Sequence, residues 1–400
     1  MRFTKTLRLP SATALVVILA SPAFALDGDD LMAKIGATFA AQGGTFTAEE
    51  TVVDGDTVTA NGVVLNQGGE ANSKLPLGQV VFEGVEEDNG GYSVKTVRFG
   101  DVDLNENDIH VTAKGIEIDG LQVPANAGME SLDTLLFYDS FKTGPVRVEK
   151  AGKHLASVSS IAINLDTAED KASMSMDGHI DGVELDLTDM PSVKSQAVVD
   201  ELGLQQVSGD VTLKGAWETA TGKIDISEYA FDMNDIGKLN VKLSFSGYTL
   251  QFAKAIQEAQ AAMAANPDKK AASDAFGVTM LGLVQQLSFN NASIRFEDAS
   301  ITGRLLDYFG KQQGVSGEQM AQIVSGVAPG MLARLNMPEL QAQISTALNT
   351  FLDDPQSLEI KAVPAQPVSG PMIMGAALAA PRTLPNVLGV TVIANEQAGE

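Results

Sequence analysis

The chain has 400 residues, with 51 acidic against 27 basic side chains, a formal net charge of −24, and no cysteine. A polymer this acidic repels nucleic acid and anionic lipid headgroups at long range, and its linear sequence shows no basic patch or arginine-rich run to offset that repulsion. Without cysteine there is no disulfide, no thiolate metal ligand and no thiol nucleophile, so the fold must be held by its core alone.

Arg2, Lys5 and Arg8 precede a short apolar run, "ATALVVILA" (12–20), and "SPAFA" (21–25) ends with Ala23 and Ala25 in the small-x-small pattern that signal peptidase reads. This predicts a cleaved signal peptide over 1–25, cut after Ala25, and a secreted, soluble chain in the periplasm of a Gram-negative bacterium. Its loss removes three basic and no acidic side chains and takes the formal charge from −24 to −27. No later window approaches the ~20 apolar residues of a membrane span. "SGPMIMGAALAAP" (369–381) is apolar but short and bounded by prolines, so no transmembrane segment is expected in the mature chain.

Leu31, Ile35 and Phe39 then recur at i, i+4 and i+8, with Asp27, Asp29 and Asp30 at the favoured N-terminal end and Gly43–Gly44 as a stop. This predicts a helix over 29–42. From 45 to 248 the pattern becomes alternating. "TVTANGVVL", "GQVVFEGV", "YSVKTVRFGDVDL", "IHVTAKGIEIDGLQV", "SSIAINLDT", "SMSMDGHIDGVELDL", "GDVTLKGAWE", "KIDISEYAFDM" and "KLNVKLSFSGY" each switch between apolar and polar, with Gly, Asp or Asn between them. Such runs are antiparallel strands with one buried face, and their close spacing predicts a long meander.

After 248 the period turns helical. Helices are predicted over "LQFAKAIQEAQAAMAANP" and "DKKAASDAFGVTMLGLVQQL", a strand over "LSFNNASIRFED", and then three helices, 302–313, 317 to about 327, and 338–352. Gly314 closes the first of these, Ser316 caps the second, and Asn336 with Pro338 starts the third. "SLEIKAVPAQP" and "LGVTVIANE" are the last strands, around a proline-rich connection. The reading is an α+β fold: a large curved antiparallel β-sheet, built as a meander, with a C-terminal helical insert packing on it. Its parts are the signal peptide 1–25, a helix and sheet region 26–250, a mainly helical region with one strand 251–352, and terminal strands 353–400 that complete the sheet.

The chemically densest stretch is "FEDASITGRLLDYFGKQQG" (296–314). Glu297 and Asp298 are strand neighbours and so point to opposite faces, which disfavours a carboxylate pair. Arg304, Asp307 and Lys311 share a helical face and are expected to form ordinary surface pairs. The stretch therefore reads as a strand handing over to a helix. His110, His154 and His179 lie far apart; "GHID" sets His179 and Asp181 on one strand face, half of a metal site with no partner motif. "DVDLNENDIHVT" begins like a calcium loop but has Glu106 where glycine is needed and Thr112 where a bidentate glutamate is needed. "DMNDIG" has Ile236 in place of an oxygen ligand. Nucleophile elbows, P-loops and dinucleotide fingerprints are absent. No catalytic, metal or cofactor residue is assigned. A hydrolase using carboxylates alone remains open, although one tryptophan and five tyrosines are few for sugar platforms.

The positive feature is apolar surface. A long one-sided sheet needs a cover, and Phe289, Ile294 and Phe296, with the methionines of "MSMD" and "PMIMG", line either a filled core or an open groove. Two stretches, "GAWETATGKIDISEYAFDMNDIGKLNVKLSFSG" and "LSFNNASIRFEDASITGRLLDYFGKQQGVSGEQM", resemble the β-rich envelope proteins of the AsmA-like and YdgA-like groups, and similar stretches occur in secreted proteins of alphaproteobacteria. The resemblance covers about 205–360. It implies a non-enzymatic envelope role with lipid handling and carries over no functional residue. The first expectation is thus a periplasmic, non-catalytic protein that binds a lipid, another apolar ligand or an envelope partner. The alternatives are a carboxylate hydrolase and an assembly scaffold without a ligand.

Overall fold

The computed structural model describes residues 26–41, 43–66, 74–128, 131–189 and 192–396. The predicted signal peptide, with Ala23 and Ala25, lies outside the described residues. Helix α1 (Gly28–Ala41) opens the fold, and the Asp27 side chain accepts the Asp30 amide at its start. A run of strands follows: β1 (Thr45–Thr47), β2 (Glu50–Asp54), β3 (Thr57–Asn66), β4 (Lys74–Asp88), β5 (Gly91–Phe99), β6 (Val102–Glu106), β7 (Ile109–Ala113), β8 (Glu117–Val123), β9 (Ser140–Thr143), β10 (Val146–Lys150), β11 (Lys153–Val158), β12 (Ser160–Thr167) and β13 (Ser173–Asp186).

From there helices interrupt the strands. They run α2 (Val193–Leu202), β14 (Gln206–Glu218), β15 (Lys223–Met233), β16 (Gly237–Ser246), α3 (Leu250–Ala265), α4 (Lys269–Val284), β17 (Ser288–Asp298), α5 (Ile301–Gln313), α6 (Gly317–Leu332), α7 (Pro338–Asp353), β18 (Ser357–Ala362), β19 (Val368–Ser369), α8 (Gly370–Ala379), α9 (Leu384–Val387) and β20 (Val390–Ala394). All twenty strands among the described residues join one antiparallel sheet, so the fold is α+β with a large curved sheet.

The pairing is a meander. Five adjacent strands bend at one line: β5 into β6 at Gly100, β7 into β8 at Gly115, β9 into β10 at Gly144, β11 into β12 at Ser159, and β13 at Gly182. Gly115 and Gly182 sit at φ +62° and +60°, a region costly for residues with a Cβ, and a Cβ on Gly182 would lie 2.2 Å from Ser159 Oγ. The runs "YSVKTVRFGDVDL" and "IHVTAKGIEIDGLQV" are therefore each split by this crease. Beyond it the order is β13–β14–β15–β16–β17–β18–β20. The terminal strands complete the sheet, as β18 pairs with β17 and β20 with β18.

The most deeply buried core lies at the N-terminal end. Leu31, Met32 and Ile35 of α1 close over Val58, Val63, Val80, Phe82, Val94, Val97, Leu121 and Val123. Tyr92, 3 % exposed, donates its hydroxyl to Asp30 Oδ2 at 2.7 Å, and Lys34 pairs with the same carboxylate. The Lys34 and Tyr92 hydrogen bonds hold the Asp30 carboxyl below its ordinary range; burial, then the Asp30 charge, push the Tyr92 phenol up. Asp30 thus contributes stability above the unfolded carboxyl value of ~4, lost as pH falls through its lower folded value. Tyr92 contributes below the unfolded phenol value of ~10, lost as pH rises through its higher folded value. Tyr92→Phe is expected to cost about 1–3 kcal/mol at neutral pH by urea unfolding, and less at both ends of that window.

Several expectations are corrected. Asn336 does not start α7: at φ +55° it ends a 3-10 turn, and Met337 is the N-cap. Helix α6 runs to Leu332 through Pro329, whose carbonyl accepts the Gln341 side-chain amide at 3.2 Å. The connection before β20 contains α8, formed by the apolar run that the prolines flank. The predicted helical region, 251–352, holds α3 to α7 around β17, and further helices lie outside it, α2 between β13 and β14 and α8 and α9 between β19 and β20. Arg304 does not pair with Asp307: its guanidinium donates to the carbonyls of Leu202 (3.3 Å) and Asp235 (2.9 Å), because α5 starts against the end of α2 and the β15–β16 turn.

Candidate functional site

The register lines up one residue per strand into a continuous row: Val58, Phe82, Val97, Ile118, Phe141, Ile163, Gly178, Leu213, Tyr229, Val241, Ile294, Ile360 and Val392. Each is directly opposite the next across the ladder. At ~4.8 Å per strand this stripe runs about 58 Å along the sheet. Apart from Gly178 and the Tyr229 hydroxyl, it is hydrocarbon or aromatic ring. A parallel rung, Val211, Phe231, Leu239, Phe296 and Leu358, widens it on one side, and Met176, Gly215, Ile226, Leu243 and Ala292 on the other.

The cover changes along the row. Val58, Phe82 and Val97 are at most 2 % exposed beneath α1, whereas Tyr229 is 38 %, Ile294 50 % and Ile360 47 % exposed. Helices flank this open stretch rather than roof it. On one margin α7 sets Phe351 edge-on to Phe296 (centroids 6.4 Å apart), and Gln343 accepts the outward amide of Val392, capping the edge of β20. On the other, Phe252 of α3 meets Tyr248 at a tilt; Tyr248 in turn meets Phe245 edge-on, and its carbonyl accepts the Trp217 indole N–H at 2.8 Å. The Gln257 side chain of α3 also donates to the Ala41 carbonyl, 216 residues away at the end of α1. A flat sheet would hold β3 and β16 about 43 Å apart, and Gln257 lies only ~10 Å along its helix. The sheet therefore curls with its apolar face inward. The result is a trough: closed by α1 at one end, open over β15 to β18, with helices on both sides.

Of the apolar residues predicted to line a groove, Ile294 and Phe296 lie on this face. Phe289 joins them because a bulge at Asn290 restores its side, and Met174 and Met176 lie there too, opposite Trp217 and Gly215. Tyr229, Leu239 and Ile360 were not singled out; their alternation was readable, but their register was not.

The opposite face carries charge ladders. Arg98 joins Glu83 and Glu117, and Lys142 joins Glu117 and Asp119; further along, Lys214 bridges Asp177 and Glu228, which also meets Lys238. Beside these, on β16 to β18, is a polar cavity of about 300 Å³ lined by Lys238, Asn240, Lys242, Ser293, Arg295, Glu297, Glu359 and Lys361, among others. Arg295 donates to Glu297 Oε1 (2.7 Å), Glu359 Oε2 (3.3 Å) and the Glu396 carbonyl (2.9 Å). Glu297 and Glu359 are two carboxylates in one cavity, and Arg295 bonds both.

The other candidates resolve into local structure. Asp298 accepts the Thr302 amide at 2.8 Å, so the 296–314 stretch is a strand-to-helix join. His179 lies 2.6 Å from Asp177, while Asp181 accepts the Ser160 hydroxyl. His110 sits between Asp103 and Glu149, and the Asp103 hydrogen bond raises its pKa despite some desolvation. The first calcium-like run is a hairpin whose Asn107 and Asp108 take φ +52° and +64°. Among the described residues no group of three or more acidic or histidine side chains is arranged to hold a metal ion.

No curated protein matches the chain. A family model described as "Uncharacterized protein" matches residues 230–395, the stretch that holds Leu239, Ile294 and Ile360 of the open trough and the polar cavity behind it.

Proposed function

We propose that this chain is a non-catalytic protein of the periplasm that binds a lipid or a similarly elongated apolar molecule along the open half of its trough. The observation that carries the reading is the half-exposed row of Tyr229, Ile294 and Ile360, flanked by helices and continuous with a buried core. Exposed apolar area of this extent is costly in water, and an acyl chain laid across the strands would recover the burial at ~25 cal/mol per Å². The compartment rests on the N-terminal sequence pattern, and the envelope setting on the AsmA-like and YdgA-like resemblance.

The test is native mass spectrometry of the chain purified from the periplasm, with lipid extraction of the same sample. A stoichiometric adduct that the extract identifies as a lipid supports the reading. A single apo mass with an empty extract, repeated after incubation with phospholipid, removes it.

A further inference from the structure

We propose a second binding site on the opposite, polar face: a cradle for a phosphate-sized oxyanion at Lys242, Ser293 and Lys361. In a chain with 51 acidic and 27 basic side chains, a random polar patch is expected to be acidic. The cavity on β16 to β18 is the reverse, with Lys238, Lys242, Arg295 and Lys361 against Glu297 and Glu359. Elsewhere on this face the ladder alternates in sign, as in Glu83–Arg98–Glu117–Lys142, except where Asp210 stands opposite Asp232. Here the like charges are basic. Lys242 is directly opposite Ser293, and Ser293 is directly opposite Lys361, so two ammonium groups flank one hydroxyl on the same rung.

Two strand spacings separate the lysine backbones, about 10 Å, which leaves room for a tetrahedral anion between side chains of that length. Like charges on one rung are unfavourable alone and become favourable around an anion. The surroundings are set. Glu359, 7 % exposed, holds Arg295 at 3.3 Å and Lys361 at 3.3 Å, so the base of the cavity is fixed. Lys242 has no carboxylate within ion-pair distance among the described residues and is exposed at the rim. Ser293, Asn240 and Asn291 add neutral donors. Lysine recognises phosphate as a point charge, which suits a group presented end-on by either a free phosphate or a lipid headgroup.

The full chain is titrated with inorganic phosphate in chloride buffer by calorimetry, and floated with phosphatidylglycerol and with phosphatidylcholine vesicles. The same is done with Lys242→Gln and with Lys242→Gln/Lys361→Gln. Saturable phosphate binding that weakens at least ten-fold in the double variant supports the cradle, with the free ion as a sufficient ligand. Flotation with phosphatidylglycerol alone, lost in the double variant, supports it with the headgroup as the source. The single variant leaves no carboxylate unpaired, and an unchanged urea midpoint separates lost binding from lost folding. No binding of either probe by the unmodified chain, or equal binding by the double variant, overturns the proposal.

Discussion

Phe82→Ala is expected to destabilise the chain by about 3–5 kcal/mol, the range for emptying a fully buried phenylalanine site. Phe82 is 2 % exposed, lies between Val58 and Val97 on the apolar face, and is roofed by α1. Ile294→Ala, on the same row but half exposed, is expected to cost about 1 kcal/mol, since roughly half the burial is there to lose. Urea unfolding followed by circular dichroism compares the two. Trp217, the chain's one tryptophan, lies on β14 and reports the later strands. If the sheet is one cooperative unit, Phe82→Ala moves both midpoints together. Equal costs for Phe82 and Ile294 would mean that the row is covered along its whole length, and the trough would be a core.

The second large effect is on binding. Ile294→Glu/Ile360→Glu sets two carboxylates side by side in the open floor, since these residues are paired across β17 and β18. Without ligand both reach water, so the folded chain tolerates them. Under an acyl chain they are desolvated, at a cost of several kcal/mol. The double variant is expected to bind cis-parinaric acid at least 100-fold more weakly than the unmodified chain, which corresponds to ~2.7 kcal/mol. Its urea midpoint should stay close to the original. Binding retained at full strength would place the ligand elsewhere. The double lysine variant on the polar face serves as the control, because it leaves the row untouched.

How much of this was readable in the residues can be judged element by element. "KIDISEYAFDM" coincides with β15, and the helix predicted over 29–42 with α1 to within a residue, because period and stop signals agree there. Strands β1, β2, β9, β10 and β11 were not anticipated. "SFKT" and "VRVEK" are only four and five residues long, too short for alternation to stand out, and they hold their places through neighbours on both sides. Helix α2, "VKSQAVVDEL", was missed although Ser192 caps it and Gly203 ends it at φ +66°. The trough was legible only as alternation. That Leu213, Tyr229, Val241, Ile294 and Ile360 fall on one line depends on the register of successive hairpins, and bulges at Ser227 and Asn290 shift that register by one residue each. No local pattern encodes which part of such a line a helix will cover.

The meander has a consequence for how this chain acquires its shape. Along much of the row strands pair with near neighbours in the chain, and β14 to β15 and β15 to β16 are separated by short turns, whereas helices intervene between β16, β17 and β18. Contacts of short sequence separation close cheaply and early. The buried residues of the N-terminal core, from α1, β1, β3, β4, β5 and β8, all lie before residue 124. A chain synthesised N-terminus first can therefore set that nucleus and add strands in order, each new edge serving as template for the next. The hazard in such growth is an unpaired edge, which recruits strands from other chains. Here growth ends where Gln343 of α7 takes the outward amide of Val392, so the last edge is closed by a helix synthesised before the strand it protects.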